Sequence, residues 1–198
     1  MKNRTAFDQQ LLHTGMLHWR MDAEEADSYE SRLRQKPVDR SKLLWDGQDS
    51  APWSQEGDGV LSVTDDRCLS MEAHASLDTK GADWRSYNRL RFRIFPDCPG
   101  MHSPMIALQL YNDGEEKIPD RYHREGYHII HLKNGEWNDC VWEFPSLPRD
   151  RVTSLSFLVH RYGKELSMDG TLRFKIKEIS LEHTSVTWHT LGWQCDPD

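Results

Sequence analysis

Residues 88–95 read NRLRFRIF, and their alternation decides the fold. Leu90, Phe92 and Ile94 fall on one side of an extended chain; Arg89, Arg91 and Arg93 fall on the other. The same two-residue period recurs on both sides of this segment. Downstream, Met105–Tyr111 places Ile106, Leu108 and Leu110 inward and Ala107, Gln109 and Tyr111 outward. Thr153–His160 turns Leu155, Phe157 and Val159 inward. Thr171–Glu182 alternates through Leu172, Phe174 and Ile176, then changes phase to Ile179 and Leu181, which predicts a bulge near Lys177. Tyr127–Lys133 and Glu136–Phe144 flank Asn134-Gly135, a strong hairpin signal. Upstream, Val60–Thr64 and Cys68–Ala73 predict a hairpin around Asp65-Asp66, and Leu43–Trp45 an early strand. Pro96 and Pro99-Gly100 are expected to end the 88–95 strand.

About eight short strands without helical crossovers predict an all-β fold, an antiparallel two-sheet jelly-roll β-sandwich. A short helical N-terminal extension precedes it. Asp22 and Glu25 have capping-box spacing, Ala26, Tyr29 and Leu33 follow at helical intervals, and Pro37 closes the segment. The expected organisation is an extension over 1–40, the sandwich over 41–183 and a tail or linker stub over 184–198.

The chain has 198 residues, 37% of them hydrophobic, enough for a core without disulfide staples. Its net charge of -7 argues against a nucleic-acid partner. The first residues show no signal peptide and the chain has no membrane-spanning run, so the expectation is a cytoplasmic protein unless it is trimmed from an exported precursor. Cysteines 68, 98, 140 and 195 match no zinc spacing and read as free thiols in a reducing compartment, or as one or two disulfides if the protein is exported. The ten histidines read as surface or loop residues. No HExxH, GxSxG or glycine-rich phosphate loop occurs.

The segments DWRSYNRLRFRIFPD (83–97), LQLYNDG (108–114), REGYHIIHLKNGEWNDCVWEF (124–144), SLPRDRVTSLSF (146–157) and FKIKEISLE (174–182) resemble, in order, the galactose-binding-like jelly roll of carbohydrate-binding modules. They are similar to modules that precede catalytic domains in large bacterial glycoside-hydrolase-like proteins. The resemblance implies a glycan ligand on a sheet face or edge loops, a glycoside-hydrolase-like catalytic domain as partner, and a structural calcium ion with no ligand set assigned. Asp46, Asp49, Asp58, Asp65, Asp66, Glu178 and Glu182 are the oxygen donors available. No other cofactor is required.

The expected function is non-catalytic carbohydrate binding, as a module or ancillary domain. An interaction or assembly domain on the same sandwich, and a small polysaccharide lyase or glycoside hydrolase, are the alternatives. The candidate carbohydrate-binding residues are Tyr111, Asn112, Asp113, Arg121, Tyr122, His123 and Trp137; no catalytic residue is assigned. Tyr111 ends a strand beside the polar 112–126 loop, where planar amide, carboxylate and guanidinium groups suit sugar hydroxyls. Eight tryptophans supply stacking surface as well as core volume. Trp84 and Trp142 read as structural, Trp45 and Trp53 as exposed, and Trp137 as an edge residue able to stack on a ligand or close the core. The Arg89, Arg91, Arg93 row and the Arg173, Lys175 row would attract acidic sugars if they shared a sheet, unless carboxylates across the strands pair with them.

Overall fold

The computed structural model describes residues 31, 33–57, 59–101, 104–116, 125–145, 147–159 and 172–184. They form eleven strands: β1 (Arg40–Trp45), β2 (Trp53–Glu56), β3 (Leu61–Val63), β4 (Leu69–Met71), β5 (His74–Ala82), β6 (Arg89–Asp97), β7 (Met105–Asn112), β8 (Glu125–His131), β9 (Asn138–Glu143), β10 (Val152–Val159) and β11 (Arg173–His183). Every strand pairing among the described residues is antiparallel. One sheet runs β3-β4-β11-β6-β9, with β1 also paired to β11; the other runs β2-β5-β10-β7-β8. We call them the β6 sheet and the β10 sheet. The two-sheet sandwich expected from the sequence is the fold observed.

The period-two pattern closes the core between the sheets. Leu90, Phe92, Ile94, Trp142, Phe174, Ile176, Ile179 and Leu181 face in from the β6 sheet. Leu77, Ile106, Leu108, Leu110, Leu155 and Phe157 meet them from the β10 sheet. Phe92 and Phe157 join the layers edge to face, their centroids 5.2 Å apart. Truncating one such buried side chain to alanine costs about 3–5 kcal/mol.

The phase change in β11 is a bulge: its register with β6 slips between Lys177 and Ser180. Glu178 there has φ +56°, left-handed for a non-glycine residue. The slip keeps both Ile176 and Ile179 inward.

Several expectations are corrected. Asn134-Gly135 does not close a hairpin: β8 pairs β7 in one sheet and β9 pairs β6 in the other. The segment crosses between sheets because its groups bond elsewhere. Asn134 bonds the Cys98 N–H and the Cys98 and Met101 carbonyls, and the Gly135 N–H donates to the Pro96 carbonyl. Gly135 takes φ +77°, which glycine adopts at no steric cost.

Pro96 does not end its strand; β6 continues to Asp97, with Pro96 opposite Phe174. The edge of Pro96 lacking an N–H faces the crossover, beyond the last β9 pair at Asn138, so no ladder bond is lost.

Trp45 and Trp53 are buried, packed edge to face at 5.6 Å, and Trp45 Nε1 donates to the Asp49 carbonyl. His128 is also buried, stacked on Trp142 at 5.7 Å rather than lying on the surface. Trp84 and Trp142 are core residues, and Cys68, Cys98 and Cys140 are buried thiols. Burial pushes the Cys98 thiol up to about 12.

Of the N-terminal helix, the structure describes residues 31 and 33–35; the capping box lies outside the described residues. This last turn lies against the outer face of the β6 sheet. Leu33 is buried, its carbonyl accepts from Arg89 Nη1, Arg34 Nη1 donates to the Asp139 carbonyl, and Lys36 pairs with Glu143 at 2.7 Å. No helix among the described residues is long and apolar enough to cross a membrane.

Candidate functional site

Alternation gives each sheet an outer face, and the two faces differ in chemistry. On the β10 sheet the registers align Ser54, Ser76, Ser156 and Gln109 in one row across β2, β5, β10 and β7. The adjacent row is Asp78, Ser154 and Tyr111. The row on the other side holds Glu56 and His74 on β2 and β5, then Leu158 and Ala107 on β10 and β7. Inward neighbours at every second position force these residues outward. On this floor Ser76 Oγ and Ser156 Oγ bond each other at 2.7 Å; Ser76 is half-buried, and Ser156 and Ala107 are buried. Tyr111 rises at the rim, 37% exposed. Exposed Ser54 and half-buried Ser76 and Ser154, beside an exposed phenol ring, offer hydrogen bonds to a polyol and an apolar face to its C–H surface.

Tyr111 thus has the outward position that its parity predicts. Asn112, the next residue, points inward and is fully buried. Its amide donates to Asp150 Oδ1 at 2.7 Å, and its Oδ1 accepts the Arg151 N–H at 2.8 Å. Asp150 Oδ2 also accepts the Glu115 and Glu116 N–H groups, and the Asp113 N–H donates to the Arg151 carbonyl. Gly114 fits this knot because a Cβ would stand 2.2 Å from the Asp150 carboxylate oxygens. Asn112 therefore fastens the base of the 112–126 connection to the start of β10. Burial pushes the Asp150 carboxyl up, but hydrogen bonds from the Asn112 amide and the Glu115, Glu116 and Asp150 N–H groups together outweigh it and hold the group below the ordinary carboxylate value. Arg121, Tyr122 and His123 lie outside the described residues.

Trp137 is on the other side of the molecule. Its ring meets Phe95 edge on at 5.7 Å, with Lys177 Nζ 4.5 Å and Arg93 Cζ 5.3 Å from its centroid. It belongs to the outer face of the β6 sheet, so it shares no surface with Tyr111.

The two basic rows do share that sheet, and carboxylates across the strands engage much of them. Arg89, fully buried, is clamped by Glu182. Arg91 bonds Asp139 through Nε and Nη2, at 3.0 and 2.6 Å. Arg173 bonds Glu72 at 2.9 Å. Because Tyr111 and these arginines occupy opposite faces, Tyr111 does not converge with Arg91 or Arg93 as a lyase centre would need.

The oxygen donors considered for calcium do not converge. Asp46 and Asp49 each accept an N–H two residues on, Asp66 accepts from Thr64, and Glu178 and Glu182 face arginines. Asp58 lies outside the described residues. Among the described residues no group of three or more His, Cys, Asp or Glu side chains is placed to hold a metal ion. Among the described residues, the carboxyls of Asp66, Asp83 and Asp150 are held low. A side-chain hydrogen bond from Thr64 lowers the first and one from Arg85 the second.

The serines of the floor carry no signal as single residues. Ser154 and Ser156 were legible as outward only through the inward Leu155, Phe157 and Val159. Ser76 becomes visible once β5 is known to be a strand.

No protein-family model matches the chain, and no curated protein sequence does. Among solved structures, an exo-β-agarase superposes with a TM-score of 0.53 at 11% identity, over 75% of this chain and 26% of that one. The shared feature is the sandwich fold. A family 11 carbohydrate-binding module from Clostridium thermocellum, in complex with a β-1,3-1,4-mixed-linked tetrasaccharide, gives 0.49 at 15% identity, over 73% of this chain and 96% of the module. A CBM22-2 xylan-binding domain from Paenibacillus barcinonensis gives 0.42 at 15%, over 73% of this chain and 99% of the domain.

Proposed function

We propose that this chain is a non-catalytic carbohydrate-binding domain whose ligand lies on the outer face of the β10 sheet. The observation that carries the reading is the aligned row Ser54, Ser76, Ser156 and Gln109 beside exposed Tyr111. Tyr111 stacks on a sugar ring, and the floor hydroxyls and the Gln109 amide meet its hydroxyl groups. Arg121, Tyr122 and His123 follow in the connection that the Asn112–Asp150 knot anchors, and they are the loop contacts of this reading.

The three outward rows described above hold Glu56 and Asp78 and neither arginine nor lysine; exposed Lys80 lies farther along β5. The face therefore suits a neutral glycan better than a uronate or sulfate. Contacts of this kind give affinities between millimolar and micromolar, about 4–8 kcal/mol.

The neighbours support the reading through their fold and through what their names say they bind. The agarase match covers a domain-sized part of a longer enzyme, which favours a glycoside-hydrolase-like catalytic domain as the working partner. Calcium has no part in the proposal.

An interaction domain would need a continuous apolar patch. Among the described residues the large exposed apolar side chains are Val38 and Leu43 around β1, Val60 before β3 and Tyr111 on β7.

A glycan-array screen of the purified chain tests the proposal. Selective binding to neutral poly- or oligosaccharides is expected. Absence of binding to every neutral glycan would overturn it.

A further inference from the structure

The outer face of the β6 sheet carries a second recognition feature, independent of the first. Once Arg89, Arg91 and Arg173 are engaged by Glu182, Asp139 and Glu72, three cations of β6 and β11 remain: Arg93, Lys175 and Lys177. Arg93 and Lys177 stand opposite each other in the register and share one indole, that of Trp137. Lys175 stands opposite Phe95, whose ring meets Trp137. It has no ion pair among the described residues; the Asp66 carboxylate, hydrogen-bonded to Thr64, acts on it only through space.

The carboxylate facing these cations is Glu178. It lies 3.6 Å from Arg93 Nη1 and 3.7 Å from Lys177 Nζ, longer than a charge-assisted hydrogen bond, and its side chain is 60% exposed. It does so from the left-handed bulge position. Two cations on one ring repel each other, and a loosely held carboxylate satisfies neither fully. On a chain of net charge -7, a local excess of positive charge beside two aromatic rings selects anions.

We propose that Arg93, Lys175 and Lys177 around Trp137 form a subsite for the sulfate or carboxylate groups of an acidic polysaccharide, and that Glu178 occupies the anion position in the free protein. Neighbouring cations on a sheet are separated by roughly 5–7 Å, across and along the strands. That spacing suits charges repeated on successive sugar rings, whose C–H faces lie against Trp137 and Phe95.

Binding at low salt to dextran sulfate, polygalacturonate, uncharged dextran and poly-glutamate tests this. Dextran sulfate and polygalacturonate separate a sulfate from a carboxylate ligand. The wild type is expected to bind at least one of them, and to bind it more tightly than dextran or poly-glutamate. The double variant Lys175→Gln/Lys177→Gln should lose roughly tenfold in affinity, and Glu178→Gln should gain severalfold. The double variant Lys42→Gln/Lys80→Gln removes the same charge from other surfaces and should stay near wild type. No binding to either acidic polysaccharide would overturn the proposal. So would equal loss in the two double variants, no gain from Glu178→Gln, or equal binding of poly-glutamate. Because the polysaccharides and residues differ from those of the β10-sheet reading, either can fail alone.

Discussion

Ser76 and Ser156 satisfy each other, hydroxyl to hydroxyl at 2.7 Å, at the centre of the β10 sheet's outer face. This cross-strand bond keeps two adjacent polar positions short and paired, so the ground beside Tyr111 stays low enough for a ring to lie on.

Raising that floor should block the ligand. Ser76→Leu is expected to weaken glycan binding at least tenfold, about 1.4 kcal/mol. The side chain is half-buried and the change removes its bond to Ser156, so the melting temperature should fall by about 2–4 °C, the equivalent of about 1 kcal/mol. Calorimetric titration with thermal melts checks both. Unchanged affinity would remove the floor from the site.

The opposite face is built for stability in the part covered by the N-terminal helix. Glu182→Leu leaves Arg89 charged and buried without its carboxylate, and should cost about 3–5 kcal/mol in urea unfolding. Arg89→Met/Glu182→Leu removes both charges and should recover more than half of that loss. Equal destabilisation of the single and double variants would contradict this account of the pair.

Asp150 links the site's base to pH. Its folded-state carboxyl is held below the ordinary Asp value of about 3.9, so its contribution is fully present above that pH. The contribution is lost as pH falls through the lower folded value. Asp150→Asn should therefore be less stable than wild type at pH 7, and the gap should close below about pH 4. A gap independent of pH would show that the carboxylate charge does not fasten this loop.

Much of the sandwich was legible because strands buried on one face must alternate. β6, β7, β10 and β11 each carry three or more large inward residues, and the β11 bulge shows as a break in phase. β5 was illegible: HASLDTKGA buries only Ala75 and Leu77 toward the core, and its serine, aspartate and glycine resemble a loop. Asn134-Gly135 misled because a short-range turn signal says nothing of the sheet in which the next strand pairs. Trp45 and Trp53 sit beside turn-rich sequence, yet long-range packing decides their burial.

The site was half legible for the same reason. Tyr111 and Gln109 follow from parity alone. The serine floor needs the register of four strands, which no local pattern encodes, and Asn112 needed knowledge of Asp150, thirty-eight residues away. Trp137 follows the crossover onto the other sheet, which separates it from Tyr111.

The most direct test is an NMR titration of the isotopically labelled chain with xylohexaose, a mixed-linked β-1,3-1,4-tetrasaccharide and agaro-oligosaccharides. Saturable shifts clustered at Ser76, Gln109, Tyr111, Ser154 and Ser156, abolished by Tyr111→Ala with the fold intact, are the result predicted. Shifts confined to the Trp137 face, or no shifts with any neutral sugar, would contradict the assignment of the β10 sheet as the glycan-binding face.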